Sequence, residues 1–379
     1  MSEPEQEQQT RKPRIAVVFG GRSSEHAVSC ATAGSVLAAL DADRYDVVPV
    51  GITRDGRWVL ESADPARLAI TAQDRLPEVD GSRSTVALAR QDDASDLVVH
   101  EPGAVPRTLG EVDVVFPLLH GPWGEDGTLQ GLLEMSGVRY VGSGVLASAV
   151  GMDKHYMKVV LASHGLPVLP YTVITPAGWE SDRAACAESV ASLGYPVFVK
   201  PARGGSSIGI SKVHGPDELD AAVEEARRHD PKVLVEVSAE GGREVECGVL
   251  QGFGSNPSDT SVVAEISVDP AHEFYDFAAK YLPEEQTRLD VPADLPEGVA
   301  ARIRELSAQA FEVLSCEGLA RVDFFVLPDE RVVINEINTM PGFTPSSMFP
   351  RMWAATGLDY PALVDRLVQL ALHRGTGLR

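Results

Sequence analysis

The run Ile15 to Phe19 is apolar without a polar break, the pattern of a parallel strand covered on both faces. Gly20-Gly21 turn the chain toward a helical stretch that begins near Ser24 and ends near Leu40, and a second apolar run spans Val47 to Ile52. Strand, helix, strand is a βαβ unit, so the chain opens with an α/β domain. Residues 61–110 are richer in Asp, Pro, Ser and Gly and read as loops or a peripheral excursion with no function of their own. Val112 to Leu118 is again strand-like, and Gly121 to Gly131 is a turn-rich loop whose later part starts another helix.

From Met152 the pattern changes. A helix runs to about His164, a Gly-Leu-Pro break follows, and strands are expected around Val168 to Ile174 and Val197 to Lys200, so a domain boundary falls here. Val299, Ile303, Leu306, Ala310 and Val313 recur at spacings of four and three, the stripe of an amphipathic helix that Gly318 can cap. Leu319 to Leu327, a turn at Pro328-Asp329-Glu330, and Arg331 to Asn338 then read as an antiparallel hairpin.

Length and composition narrow the function. A chain of 379 residues holds two or three domains. The formal charge of −22 repels phosphate backbones and anionic lipid, which argues against nucleic acid and membrane surfaces as partners. A polyanion that binds a nucleotide needs local cations to reverse that field, so lysines beside a glycine loop become informative. Cys30, Cys186, Cys247 and Cys316 are scattered, without metal-ligand spacing, as expected of reduced thiols in the cytoplasm. Residues 1–14 are polar, lack the apolar core of a signal peptide and are expected to be a disordered tail.

Candidate chemistry sits on the hairpin. Alternate side chains of a strand share a face, so Arg321 and Asp323 point one way and Val322 and Phe324 the other; by the same count Glu336 and Asn338 share a face with Ile334. If the polar faces coincide, two carboxylates and an amide offer oxygen donors suited to magnesium, and Arg321 sits where oxyanion charge would develop. A solvated face of mixed charge has the same spacing. The segment Lys200-Pro201-Ala202-Arg203-Gly204-Gly205-Ser206-Ser207-Ile208-Gly209 is a strand-ending lysine feeding a glycine-rich loop, whose backbone N–H groups could donate to phosphate oxygens. It is not a Walker motif, since no Gly-Lys-Ser/Thr closes it. Joined to the hairpin it reads as a lid over nucleotide phosphates.

These residues, with Phe19 to Glu25, His120 to Thr128, Met152-Asp153-Lys154, Tyr275 to Tyr281 and Asn335 to Gly342, resemble the D-alanine:D-alanine ligase family of the ATP-grasp superfamily from about residue 15 to 350. The resemblance implies an N-terminal Rossmann-like parallel-sheet domain (15–146) followed by a two-lobed ATP-grasp fold of α+β type. Its central lobe would carry the lid (147–236), and its C-terminal lobe (237–379) the metal site and a mobile loop over Val268 to Leu289. By the same resemblance Lys154, Lys200, Lys280, Gly205, Ser206 and Ser207 contact the phosphates, and Glu236 and Glu244 lie around adenine and ribose. Asp323, Glu336 and Asn338 would ligate two magnesium ions, with manganese able to substitute and room for a monovalent cation. Glu25, placed in the first turn of the first helix, would bind the ammonium of the first D-alanine beside His120 and join Ser206 and Tyr281 in a hydrogen-bonded triad. Arg321 and the Gly342 N–H would cradle transition-state charge, and the second D-alanine would rest near Ser347 and Met348.

The implied reaction is ATP-dependent ligation of two D-alanines through an acyl phosphate, for peptidoglycan precursors, by a homodimer. A D-alanine:D-lactate ligase and a non-catalytic nucleotide-binding module are the alternatives. Tyr281 favours the dipeptide, and the intact set of lysines and metal ligands favours turnover. Val237 departs from the family, many of whose members carry lysine there.

Overall fold

A computed structural model describes residues 11–68, 76–91, 94–268 and 287–377. Among these, three sheets follow one another along the chain. The first contains β1 (Arg14–Gly20), β2 (Asp46–Ile52), β3 (Trp58–Leu60), β4 (Thr85–Gln91), β5 (Ala94–His100), β6 (Arg107–Glu111), β7 (Val114–Pro117) and β8 (Arg139–Tyr140), in spatial order β6-β5-β4-β3-β2-β1-β7-β8. β1 lies between β2 and β7, parallel to both, and Ile15 to Phe19 are buried on both faces, which is why no polar residue interrupts the run. The region 61–110 is peripheral as expected, but it is not only loop: β4, β5 and β6 form an antiparallel meander that extends the sheet. In β5 Leu97 and Val99 face inward and Asp96 does not, so half the strand carries the polar residues that make the sequence look loop-like.

The second sheet holds β9 (Tyr171–Ile174), β10 (Val197–Pro201), β11 (Ser211–Val213) and β12 (Val233–Val237), and the third β13 (Arg243–Leu250), β14 (Asp259–Val268), β15 (Thr287–Asp290), β16 (Leu319–Val326) and β17 (Val332–Asn338). Both are antiparallel throughout. The helix Glu297–Val313 buries Val299, Ile303, Leu306 and Ala310 in the core of the third sheet, as its stripe predicts.

Two helix boundaries differ from expectation. The stretch from Met152 to His164 is the meeting of two helices, Val145–Met152 and Lys154–Ser163, because the Asp153 side chain accepts from the His155 and Tyr156 N–H groups and starts a new helix. The helix Glu297–Val313 is closed by Ser315 at φ +55°, with Cys316 N–H donating to Phe311 O at 2.9 Å, and not by Gly318. Gly318 is glycine for another reason: a Cβ there would lie 3.0 Å from the Gly142 backbone nitrogen.

Candidate active site

A cleft of about 570 Å³ opens between the second and third sheets and is bounded by loops of the first. The hairpin β16–β17 forms its floor. Arg321 pairs across the strands with Asn338, and Asp323 with Glu336. Between Asp323 and Phe324 the register shifts, so Phe324 pairs with Ile334 and Asn335 is the extra residue. This bulge corrects the simple alternation: Ile334 is fully buried in the apolar core, while Glu336 and Asn338 line the cleft. Arg321 donates to both oxygens of Asp323 at 2.7 Å, and Asn338 Nδ2 donates to Asp323 Oδ2 at 3.0 Å. Glu246, from the adjacent β13, approaches Arg321 Nε at 3.1 Å. Burial disfavours the guanidinium charge, but Asp323 and Glu246 outweigh it and hold Arg321 protonated well above its ordinary range.

Lysines enter from the second sheet and the helix Lys154–Ser163. Lys154 Nζ sits 2.9 Å from Glu336 Oε2 and donates to Gly204 O at 2.9 Å, so one ammonium ties Glu336 to the glycine loop. Burial opposes its charge and Glu336 more than compensates, raising its pKa. Lys200, next to last in β10, ion-pairs with Glu236 of β12 and lies 3.5 Å from Asn335 Oδ1. Glu236 is 1% exposed, and its second oxygen meets Lys158 at 2.9 Å. Burial alone would raise the Glu236 pKa, but the two ammonium groups hold it at about 2. The resemblance places Glu236 beside the base; the structure engages both its oxygens with lysines. Glu244 lines the rim of the cleft and is exposed.

The glycine loop crosses to the first sheet. Ser206 Oγ donates to Glu25 Oε1 at 2.5 Å, the expected bridge between the two. Ser206 and Ser207 hold φ of +51° and +58°, a left-handed conformation uncommon for residues with a Cβ and frequent at functional loops. Glu25 immediately precedes the helix His26–Ala39 instead of lying in its first turn, and its side chain makes no cap bond, leaving it turned to Ser206. Opposite, Gly121 has φ +73°, and a Cβ there would lie 2.8 Å from Glu25 Oε2. His120 is buried, its Nδ1 3.2 Å from Met340 O, and its Nε2 has no hydrogen-bond partner among the described residues. Burial lowers its pKa. Gly342 leaves a hollow in which a Cβ would come within 3.2 Å of Ser347 Oγ, and Gly205, Ser207, Ser347 and Met348 all line the cleft. Tyr281 and Lys280, with most of the expected mobile loop, lie outside the described residues.

Sequence comparison bears on what this geometry serves. Residues 14–143 match the profile of the D-ala D-ala ligase N-terminus, and residues 160–369 that of the D-ala D-ala ligase C-terminus. The D-alanine–D-alanine ligase of Arthrobacter sp. (strain FB24) is 59% identical over 369 residues, covering 97% of this chain and 96% of the relative. The chain belongs to the D-alanine–D-alanine ligase family. The corresponding enzyme of Streptomyces coelicolor is 58% identical over 375 residues, covering 97% and 95% of the two chains. Among solved structures, the D-Ala:D-Ser ligase VanG from Enterococcus faecalis superposes with a TM-score of 0.82 at 35% identity, over 95% of this chain and 100% of that one. The D-alanine–D-alanine ligase from Coxiella burnetii gives 0.80 at 35% identity, over 96% and 94%. The fold is therefore the mixed α/β, ATP-grasp architecture of the D-alanine–D-alanine ligase family.

Three residues of this family member escaped sequence reasoning as site residues. Glu246 is concealed in an otherwise apolar strand, although its alternation with Glu244 puts both on one face. Lys158 follows Lys154 by one helical turn, a spacing that places the two on one side of the helix. Glu125 lies within the His120 to Thr128 motif, where a carboxylate in a turn-rich loop looks solvated. It accepts from Gly121 N–H at 2.6 Å, and burial, then the nearby Glu25, push its pKa up to about 8.

Proposed function

We propose that the chain joins two D-alanines into D-alanyl-D-alanine with conversion of ATP to ADP and phosphate, for peptidoglycan precursors. The observation that carries this reading is the convergence of Arg321, Asp323, Glu336 and Asn338 with Lys154 and Lys200 on one cleft whose far wall is Glu25, His120 and Ser206. A carboxylate is a poor electrophile, so one D-alanine carboxylate attacks the γ-phosphate, forming an acyl phosphate and releasing ADP. The amine of the second D-alanine then attacks the acyl carbon, loses a proton, and phosphate departs as the amide forms.

Lys154 and Lys200 neutralise and hold the polyphosphate, with Lys280 expected to join them, and Gly205 to Ser207 supply backbone donors. Glu25 receives the first ammonium, and the uncharged His120 offers its unpartnered Nε2 beside it. Arg321 and Gly342 N–H stabilise the tetrahedral oxyanion, and Ser347 with Met348 seats the second substrate. Asp323 and Glu336 face each other across the hairpin with the Asn338 amide adjacent, a hard-oxygen set that fits magnesium and accepts manganese. Bound there, divalent ions supply charge neutralisation at the phosphates. We divide the chain into lobes at the changes of sheet, near residues 147 and 237, and take a cytoplasmic homodimer as the working form. Among the described residues no helix is long and apolar enough to cross a membrane.

The test is purified protein with ATP, magnesium and D-alanine, with identification of the product, and D-lactate and D-serine offered in competition. D-alanyl-D-alanine as the main product is expected. Absence of D-alanine-dependent ADP release, or a predominant depsipeptide, overturns the proposal.

A further inference from the structure

Lys158 lies behind the cleft, not in it. Its side chain is 1% exposed on the helix Lys154–Ser163, between the fully buried Met157 and Leu161 along that helix. Its ammonium approaches Glu236 Oε2 at 2.9 Å; burial lowers its pKa, and the Glu236 carboxylate opposes that shift. Lysine this deep is costly unless its charge is matched. Glu236 in turn holds Lys200, which lines the cleft. The three groups form a line, Lys158, Glu236, Lys200, from the core to the phosphate-binding surface.

We propose that Lys158 is a positioning residue for ATP: by sharing the Glu236 carboxylate, it prevents Lys200 from being neutralised in a closed ion pair and leaves the line with a net positive charge facing the polyphosphate. The inference rests on the cleft being the ATP site. Without Lys158, Glu236 and Lys200 cancel, and the cleft loses one charge where the nucleotide is most negative. With Glu236 neutral, Lys158 is a buried cation without a counter-charge and gives up its proton, so Lys200 alone carries its charge outward and removing Lys158 changes nothing further. A packing role for Lys158 would show no such cancellation.

The experiment is a double-mutant cycle of Lys158→Met and Glu236→Gln, with KM for ATP and for D-alanine measured for each protein alongside its thermal midpoint. Lys158→Met should raise the KM for ATP by about 10-fold or more, the effect of losing roughly one tenfold step of binding free energy. The KM for D-alanine should change far less. The double variant should recover most of the loss in ATP KM. Additive losses, or equal changes in both KM values, overturn the proposal. Should Lys158→Met fail to fold, Glu236→Gln against the double variant decides it: a further rise in ATP KM on removing Lys158 overturns the proposal, and no further rise supports it. D-alanine-dependent ADP release by the unmutated protein separates failure of this inference from failure of the ligase reading.

Discussion

At one end of the cleft Lys154, Lys200 and Arg321 each stand against a carboxylate, with Lys158 paired behind them, while at the other Glu25, His120 and Glu125 crowd around the Gly121 turn. Burial acts on both ends but with different results. Where an opposite charge is at hand, as for Arg321 or Glu236, the charged form survives burial. Where the opposite charge is weaker, burial wins: Glu25 opposes the shift of His120 and Arg321 that of Glu125, yet the Glu125 pKa rises to about 8 and that of His120 falls, so both are uncharged near neutral pH. A triphosphate demands concentrated positive charge, whereas a small zwitterion is selected by shape and a few hydrogen bonds, and the proposed function assigns the two ends of the cleft accordingly.

The contrast breaks most severely at Arg321. Arg321→Ala should lower kcat by about 100- to 1,000-fold, the usual effect of deleting an oxyanion donor, and steady-state ADP release that stays near normal would remove Arg321 from that role. Next is Gly121→Ala, which places a methyl 2.8 Å from Glu25 Oε2 in a left-handed backbone. Strain of this kind should raise the KM for D-alanine about 10-fold with little change in that for ATP, and the ratio of the two KM values measures how separate the ends are. Ser206→Ala, which loses one hydrogen bond to Glu25, should cost about 3- to 10-fold in kcat/KM for D-alanine.

The smallest effect on turnover, and the sharpest on pH, belongs to Glu125→Gln. The folded-state pKa of Glu125 is raised to about 8 from an ordinary 4.5, so its protonated form favours the folded state. That contribution is complete below about pH 4.5 and is lost as pH rises through about 8. Thermal midpoints of the parent protein should therefore fall more steeply between pH 5 and about 8.5 than those of the glutamine variant, while activity near pH 6.5 changes little. Parallel midpoint curves would show that Glu125 is ionised in the folded protein.

Much of this architecture is legible before any coordinates. The unbroken run Ile15 to Phe19, the stripe from Val299 to Ala310 and the hairpin around Pro328 carry their periodicity openly, because each obeys a single local rule. The hairpin's polar residues were legible as candidates as well, though Asp323 faces Glu336 only because the register shifts beside it. Its bulge was not, since an extra residue at Asn335 breaks the two-residue period without any glycine or proline to mark it. Asp153 and Ser315 mattered through cap geometry that a hydrophobic stripe does not encode. Lys158 shows the deepest limit: a lysine on a helix looks solvated by default, and only Glu236, 78 residues onward, converts it into a buried charge.

The last helix, Tyr360–His373, places Leu363, Val364, Leu367, Val368 and Ala371 in the same apolar core as Ile15, Val17 and Phe19 of β1, and Asp365 accepts from the Tyr45 hydroxyl at 2.6 Å. The opening βαβ unit thus takes part of its apolar cover from a helix at the opposite end of the described residues. A truncation before Tyr360 would therefore uncover the first sheet as well as the third, because Leu250, Leu319 and Phe349 share that core with Ile15 and Phe19.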